Sequence, residues 1–361
     1  MSSRTSTETS PQITVGFRTR SISDERLRFI RQVGATDVYL DHSSLDEEPD
    51  EFIDNTGEND TLVIDEDVIP SAEELIEAKE RVEAHGLRLA GVHSLPHSIY
   101  GPIMLGTERA DERIELIAQL IRNIGEAGIP ILGYQWNPRG LVPMRTRPDR
   151  PIRGGAEATE FDLTDLEDPF EVAETVDREY SEAEFWENYE RFVEAVVPVA
   201  EEADVRLALH PVDPPGIEQL GGIPRLFRNV ENFERAMDIV PSYHHGLKLC
   251  LGCFSQLGED IPALIRRFGE RDQIVFVHFR DVEGTVPSFH ETFVDEGNFD
   301  EFEAMEALVD IGFSGSVLPD HVPKIEGDSQ WRHRANAFTA GYLKGVINST
   351  LRARSGTLRE T

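Results

Sequence analysis

Short apolar runs alternate with amphipathic stretches along the whole chain, and this alternation constrains the fold more than any other feature of the sequence. The apolar runs, which we predict to be strands, span 13–18, 37–40, 87–94, 129–136, 206–211, 246–252, 273–281 and 315–321. The amphipathic stretches, which we predict to be helices, span 23–33, 71–85, 108–127, 181–203, 229–239, 260–268, 299–311 and 331–351. Near-continuous apolar strands are typical of a parallel sheet that is covered on both faces.

Eight strand–helix units predict an α/β fold of the (β/α)8 TIM-barrel type. A doubly wound parallel sheet is the alternative, and it would need a glycine-rich phosphate-binding turn after the first strand. The first strand instead continues as Gly16-Phe17-Arg18-Thr19, which lacks that pattern. The barrel is therefore the favoured fold. Two helices are predicted to begin with capping boxes, formed by Ser71 with Glu74 and by Ser181 with Glu184.

The chain has 361 residues, whereas a typical TIM barrel has about 250. Long insertions in the βα loops account for the excess, and they occupy 41–70, 140–180 and 282–297. Each insertion follows a strand, so we expect all three above the end of the barrel where the active sites of this fold lie. We predict one catalytic domain over 13–352, with a disordered N-terminal tail at 1–12 and a C-terminal tail at 353–361.

Acidic residues dominate the charge of the chain. It contains 68 aspartates and glutamates against 35 lysines and arginines, which gives a formal net charge of -33. A field of this sign disfavours nucleic acid as a partner. Only four of the basic residues are lysines. Dense carboxylates with little lysine indicate a halophilic protein that is adapted to a high-salt cytoplasm, and a merely acidic protein is the alternative.

The sequence also bears on the compartment and the partners. It has no apolar run of about 18 residues, so we expect neither a membrane span nor a membrane partner. The first dozen residues are polar and do not form a secretory signal. Two cysteines are too few to cross-link a chain of this length, and a cytoplasmic location fits best. We expect a small-molecule substrate as the partner, and a homo-oligomer remains open.

Four candidate metal ligands lie at or near the ends of the last four predicted strands: His210, Cys250, His278 and Asp320. Side chains at these strand ends face the active site of a TIM barrel. A lone buried histidine or cysteine is usually an ordinary core residue. Imidazole, thiolate and carboxylate groups together can instead hold a divalent transition metal, so the combination predicts a metal site. We expect no role for Cys253, because a zinc knuckle needs a second cysteine pair.

Several longer motifs surround these candidates. They are His210-Pro-Val-Asp-Pro-Pro215 with Gly222-Ile-Pro-Arg225, His245-Gly-Leu-Lys-Leu-Cys250-Leu-Gly252, Phe276-Val-His278-Phe-Arg280-Asp-Val, Phe289-His290-Glu291, Gly125-Glu-Ala-Gly-Ile-Pro130 with Tyr134, and Arg153-Gly-Gly155 with Phe161-Asp162. Taken together they resemble the mannonate dehydratase family over most of the chain, and the acidic composition suits a haloarchaeal-type member.

The resemblance implies a xylose-isomerase-like barrel that binds Mn²⁺ or Fe²⁺ and converts D-mannonate to 2-keto-3-deoxy-D-gluconate plus water, a step of hexuronate catabolism. It also implies that His210, Cys250, His278 and Asp320 are the metal ligands and that His321 is the acid/base beside them. Such a dehydration removes the C2 proton next to the carboxylate and expels the C3 hydroxyl, which needs a Lewis acid and a positioned acid/base.

Further residues are candidates for contact with the substrate. Arg280 and His290 are the other predicted catalytic residues, and Arg153, Lys324 and Tyr134 are predicted to bind substrate. An ordinary surface charge is the alternative for Arg280, His290, Arg153 and Lys324, and His321 could instead only orient Asp320.

The chain departs from the family pattern in two places. Val322-Pro323-Lys324 follows His321 where the family has Gly-Arg. The family also has a catalytic tyrosine soon after this motif, whereas the next tyrosine of this chain is Tyr342, in the last predicted helix. The first-strand arginine, Arg18, also lacks the aromatic pair that follows it in the family. A metal-dependent sugar isomerase or epimerase on the same barrel is the alternative function, and a non-catalytic acidic binding protein is a third.

Overall fold

The computed structural model describes residues 11–41, 64, 67–137, 144–173, 176–329 and 331–355. Its strands, in chain order, are β1 Thr14–Thr19, β2 Asp37–Asp41, β3 Arg88–Ser94, β4 Ile131–Gln135, β5 Arg147–Pro151, β6 Glu157–Asp162, β7 Arg206–His210, β8 Gln219–Leu220, β9 Ile223–Pro224, β10 His245–Cys250, β11 Ile274–His278, β12 Val282–Thr285, β13 Ser288–Glu291 and β14 Ser316–Leu318. The helices are α1 Asp24–Gln32, α2 Ala72–Ala84, α3 His97–Met104, α4 Ala110–Glu126, α5 Glu182–Glu202, α6 Val230–Ile239, α7 Leu251–Gln256, α8 Ile261–Gly269, α9 Glu301–Asp310 and α10 His333–Arg354.

Eight parallel strands close into a barrel in the order β1-β14-β11-β10-β7-β4-β3-β2. The barrel closes where β1 pairs with β14, with Val15 opposite Val317. Each of these strands overlaps one of the eight predicted apolar runs, so the predicted TIM barrel is confirmed. The predicted capping boxes are also present, because Ser71 and Ser181 each accept a hydrogen bond from the backbone N–H three residues on.

The hydrophobic core has two parts. A large cluster fills the layer between the strands and the helices, and α5 contributes Phe185, Trp186, Tyr189, Phe192, Val193 and Val196 to it. A smaller cluster fills the interior of the barrel and consists of Tyr39, Ala90, Ala208, Val275, Phe276 and Leu318. No helix in the described part of the chain is long and apolar enough to cross a membrane.

Strand alternation carries the inward side chains of the barrel up to one end. Successive residues of a strand point to opposite faces, so residues two apart share a face. Ala208, Phe276 and Leu318 line the interior. His210, His278 and Asp320 follow each of them at that spacing on the same strands or directly beyond them. The barrel thus brings the side chains of these three residues together above the apolar cluster in its interior.

Two of the predicted insertions form a sheet of their own, which was not predicted. Strands from 140–180 and from 282–297 combine into a four-stranded antiparallel sheet in the order β12-β13-β6-β5. Phe289 of β13 lies opposite Phe161 of β6, and their stacked rings belong to a small apolar cluster. The sheet joins loops that follow β4 and β11, so it packs over the open end of the barrel.

The first insertion, the two predicted tails and two short helices remain to be compared with the predictions. Most of the predicted insertion at 41–70 and of the predicted tail at 1–12 lies outside the described residues. Helix α10 continues to Arg354, so the predicted tail at 353–361 begins inside this helix. The short helices α3, which begins soon after β3, and α7, which follows β10 directly, were not predicted.

Candidate active site

The four predicted ligands meet at the open end of the barrel. One ligand atom each from Cys250, His278 and Asp320 lies within 4.8 Å of the others, and His210, Cys250 and Cys253 form a second such group. Nδ1 of His278 is 3.2 Å from Oδ2 of Asp320. All of these residues are buried. Cys250 belongs to both groups, so the four predicted ligands lie together at this end of the barrel, and Cys253 lies beside them.

The donor set fits a divalent transition metal. Within the described part of the chain, Nδ1 of His278 and Oδ1 of Asp320 are buried and make no hydrogen bond, although Oδ2 of Asp320 and Nη2 of Arg18 lie 3.2 and 3.3 Å from them. Buried polar atoms of this kind are uncommon, and an ion can account for them. Nδ1 of His210 donates to the carbonyl of Pro211 at 2.6 Å, which leaves Nε2 of that ring with its lone pair. Neutral imidazole with thiolate and carboxylate is a usual ligand combination for such metals.

Electrostatics favour the deprotonated forms of the two acidic ligands. Burial alone would raise the pKa of Cys250, but contacts with Cys253, Arg280 and the neighbouring histidines outweigh it and hold this pKa well below its usual range. Burial would likewise raise the pKa of Asp320, and nearby positive groups lower it well below its usual value. Thiolate and carboxylate are the forms that bind metal.

Arg280 lies at the centre of a buried network of charges beside the ligands. Its guanidinium donates to Glu291 at 2.7 and 2.9 Å and to Asp213 at 2.8 Å. Its Nε is 3.2 Å from Oδ2 of Asp320. Arg145 donates to both oxygens of Asp213 at 2.9 and 3.0 Å and also contacts Glu291. Two arginines and two carboxylates therefore balance one another next to Asp320.

His321 follows the ligand Asp320 and lies above this network. Its ring nitrogens are 3.8 Å from Glu291, 3.8 Å from Asp320 and 3.9 Å from Asp213. Burial lowers the pKa of His321 well below its usual value, although Asp320 opposes the shift. The backbone φ at this residue is 45°, which is uncommon outside glycine. Its side chain keeps 22% of its surface exposed, so the imidazole faces the open pocket.

A polar pocket that opens to solvent lies over these groups. Among its lining residues are the cations Arg18 and Lys248 and the amides Gln135 and Asn137. Lys248 is only 1% exposed, and its ammonium donates to the carbonyl of His93 at 2.7 Å and to Oγ of Ser94 at 2.9 Å. The pocket thus combines positive groups and hydrogen-bonding amides, which suits an anionic, hydroxyl-rich molecule.

The other predicted substrate-contacting residues are not brought to this pocket. Arg153 pairs with Asp295 and Glu296 at the surface, at 2.8 and 3.1 Å, because the acidic insertion offers these carboxylates nearby. Lys324 is half exposed and pairs with Glu157 at 2.9 Å.

Tyr134 and His290 also point elsewhere. The hydroxyl of Tyr134 bonds with Tyr189 of α5 and with His245, at 2.9 and 2.7 Å, so it faces the helix layer. Its neighbour Gln135 takes the pocket side because strand residues alternate between faces. Nε2 of His290 is 3.5 Å from the exposed Glu283 in the outer sheet.

Sequence reasoning missed several residues of the site. His93 is the last residue but one of β3, and Asp41 is the last residue of β2, so the strand-end rule could have found both. Glu291 is adjacent in sequence to the predicted His290. Arg145 lies within a long insertion and gave no signal of its position in the sequence.

Comparison with known proteins gives consistent matches. The sequence model of the D-mannonate dehydratase (UxuA) family matches residues 61–355. The mannonate dehydratase of Thermotoga neapolitana is 34% identical in an alignment of length 292, and the match covers 71% of this chain and 79% of that protein. That of Streptococcus pneumoniae is 31% identical in an alignment of length 315, and the match covers 79% of this chain and 84% of that protein.

Solved structures agree with the sequence matches. The crystal structure of mannonate dehydratase from Streptococcus suis serotype 2 has a TM-score of 0.81 and 26% identity, and the match covers 96% of this chain and 95% of that one. L-ribulose 3-epimerase has a TM-score of 0.58 at 14% identity, over 97% of this chain and all of that one. The second similarity is one of fold alone.

Proposed function

Because this chain belongs to the mannonate dehydratase family, we propose that it is a hydro-lyase that converts D-mannonate to 2-keto-3-deoxy-D-gluconate and water. The observation that carries the proposal is the convergence of His210, Cys250, His278 and Asp320 at one end of the barrel, beneath a pocket with two cations. The reaction takes the proton from C2 and the hydroxyl from C3, and the resulting enol becomes the 2-keto product.

The four converging side chains are the proposed ligands of a divalent cation. Thiolate suits iron or zinc and carboxylate suits manganese, and the family resemblance favours Mn²⁺ or Fe²⁺. When bound, the cation would supply Lewis-acid chemistry and stabilise the negative charge that develops on the substrate as C2 loses its proton.

The cations and amides of the pocket bind and orient the substrate in this proposal. Arg18 and Lys248 attract the sugar-acid carboxylate, and Gln135 and Asn137 bond to its hydroxyls. Fixing the substrate in one orientation lowers the entropic part of the activation free energy of the reaction, because the reacting groups are already aligned. We give no part in this step to Arg153, Lys324 and Tyr134, because they are not among the residues that line the pocket.

His321 is the proposed proton-transfer group. Its ring is next to Asp320 and partly exposed to the pocket, where it can exchange a proton with a bound sugar acid. Arg280 already bonds to Glu291 and Asp213, so its contribution is to hold these carboxylates around His321 rather than to bind substrate. His290 lies in the outer sheet and takes no part.

An assay with a panel of aldonic acids tests the proposal. Purified protein is stripped with a chelator, reloaded with Mn²⁺ or Fe²⁺, and incubated with D-mannonate and its epimers, and formation of 2-keto-3-deoxy acid is measured. We expect turnover of D-mannonate only after reloading. Full turnover by the stripped protein would contradict the metal site. Interconversion of sugars without a 2-keto-3-deoxy product would support the isomerase or epimerase alternative.

The finer expectations from the sequence remain part of the proposal. We propose that residues 13–352 act as one catalytic domain in a salt-rich cytoplasm, with a small sugar acid as the partner and without nucleic acid or membrane. A homo-oligomer is compatible with this arrangement.

A further inference from the structure

A buried histidine that the sequence reasoning did not single out contacts one of the proposed metal ligands. His93, at the end of β3, is 3% exposed. Its Nε2 is 2.8 Å from Nε2 of His278, and the two rings lie nearly parallel with their centres 4.9 Å apart. On its other side, Nδ1 of His93 is 3.3 Å from Oδ1 of Asp41. Asp41, His93 and His278 thus form a chain that leads to the ligand cluster.

The partners of His93 determine which of its nitrogens carries the proton. Nδ1 faces the Asp41 carboxylate and also lies 3.1 Å from Oγ of Ser94. An ionised carboxylate only accepts hydrogen bonds, so an unprotonated Nδ1 would face it unfavourably. Nδ1 of His93 therefore donates to Asp41. In the neutral ring, Nε2 is then the acceptor.

The same logic assigns the proton of His278. Because Nε2 of His93 accepts, Nε2 of His278 must donate across the 2.8 Å contact. A ring that binds a cation is neutral, so its other nitrogen, Nδ1, carries only a lone pair. Nδ1 is the atom 3.2 Å from the Asp320 carboxylate, where a lone pair is unfavourable without a cation, so this tautomer belongs to the metal-loaded protein. The lone pair is thereby directed into the ligand cluster.

We propose that His93 is a positioning residue, and that the Asp41–His93 pair fixes the tautomer and the orientation of His278 so that Nδ1 of His278 binds the divalent cation. This inference rests on the proposed metal-dependent function, and it adds two residues to it. Outer partners of this kind orient a metal-binding histidine, and their loss typically lowers metal affinity about 10–100-fold.

The surroundings of His93 hold its ring in place. A Cβ on Gly133 of the neighbouring strand β4 would lie 2.1 Å from the carbonyl oxygen of His93, so only glycine permits this approach. Lys248 donates to the same carbonyl at 2.7 Å. The ring also packs beside Phe276, with centres 6.0 Å apart. A phenylalanine at position 93 could fill the same space, which makes His93→Phe a suitable variant.

Metal affinity measured by calorimetry on the stripped protein is the first test. We expect His93→Phe to weaken Mn²⁺ binding by about 10–100-fold. His93→Gln should retain most of the affinity, because its side-chain carbonyl can accept the hydrogen bond from His278. Asp41→Asn should weaken binding as well. The matched control is His97→Phe, whose imidazole bonds to Gln135 instead of a proposed ligand, and its affinity should be unchanged.

Spectroscopy supplies readouts that a purely structural role would not change. Nitrogen-15 NMR of the histidine-labelled wild-type protein, loaded with diamagnetic Zn²⁺, should show the proton of His278 on Nε2, and this test needs no variant. Visible spectra of the Co²⁺-loaded protein should be the same for wild type and His93→Gln.

The outcomes separate this inference from the proposed function. Wild-type affinity in His93→Phe, or a proton on Nδ1 of His278, would overturn the positioning role and leave the metal site standing. A lower coordination number in Co²⁺-loaded His93→Gln would also overturn it, since His93 would then be a ligand. A wild-type protein that binds no divalent metal would overturn both proposals.

Discussion

Replacing His321 with asparagine separates proton transfer from metal binding at the proposed site. The backbone φ of residue 321 is 45°, a left-handed conformation in which asparagine is several-fold enriched. The asparagine variant therefore removes the imidazole with little added backbone strain. Any loss of activity can then be assigned to the missing ring.

The structure sets the expected magnitudes. Asp320 is 3.2 Å from Nε of Arg280 and 3.3 Å from Nη2 of Arg18, whereas Nε2 of His321 is 3.8 Å away. Two closer cations hold the ligand, so we expect Mn²⁺ affinity to fall by less than about 10-fold. Loss of a general acid/base lowers the rate by about 10²–10⁴. This range corresponds to about 2.7–5.4 kcal/mol of activation free energy.

Steady-state kinetics over a Mn²⁺ titration measure both effects in one variant. We expect kcat for D-mannonate to fall at saturating metal, with a modest change in KM. The control is His244→Asn, because His244 precedes β10 at the opposite end of the barrel and contacts the carbonyl of Val205. A wild-type kcat in His321→Asn, or a rate that excess Mn²⁺ restores, would refute the proton-transfer role.

Four further predictions concern metal content and stability. Cys250→Ser should lower the bound Mn²⁺ per chain, measured by atomic absorption, with an unchanged circular dichroism spectrum because the ligands come from separate strands. Cys253→Ser should retain its metal in the same measurement, because the serine hydroxyl can accept the hydrogen bond that Arg280 donates to the thiol. The melting temperature should rise between 0.01 and 1 M salt, as the Debye length falls from about 30 to about 3 Å around a chain of charge -33, and a constant value would contradict the halophilic interpretation. Ser181→Ala should lower the free energy of unfolding by about 1 kcal/mol in urea titrations, since Ser181 and Glu184 exchange capping hydrogen bonds.

The barrel was predictable because its signal is local and repeated. Each strand is a short apolar run that is buried on both faces, and each helix has its own amphipathic pattern. Capping residues such as Ser71 and Ser181 fixed the starts of helices correctly, since the hydrogen bonds involved span only three residues. The strand ends were less certain, and the last strand ends at Leu318 rather than at His321.

The outer sheet was missed because its signal is not local. Strand β5 has the sequence Arg-Pro-Asp-Arg-Pro and is largely exposed, so it lacks the alternation of apolar and polar residues that indicates a strand. Its sheet forms only when β6 pairs with β13, which lies far away in the sequence. Such pairing depends on the barrel that brings the two insertions together.

The site was predictable to the extent that strand ends define it. The rule that such residues face the active site brought out His210, Cys250, His278 and Asp320, which converge. It does not say which of two neighbouring residues points inward, and Tyr134 was chosen where Gln135 lines the pocket. No such rule applies to residues in long insertions. The position of Arg145 in the site and the surface ion pair of Arg153 therefore could not be inferred.

The charges of the pocket explain how a strongly acidic chain can bind an anion. Arg145 and Arg280 are matched by Asp213 and Glu291, so this network contributes little net charge. The two anionic ligands at the proposed metal site would repel a sugar acid, and a divalent cation would neutralise them. Arg18 and Lys248 would then give the local field that the substrate carboxylate meets. Salt screens the repulsion between distant surface carboxylates, but it screens the short-range attraction between these two cations and the substrate much less. Metal loading and substrate attraction therefore depend on the same balance of charges.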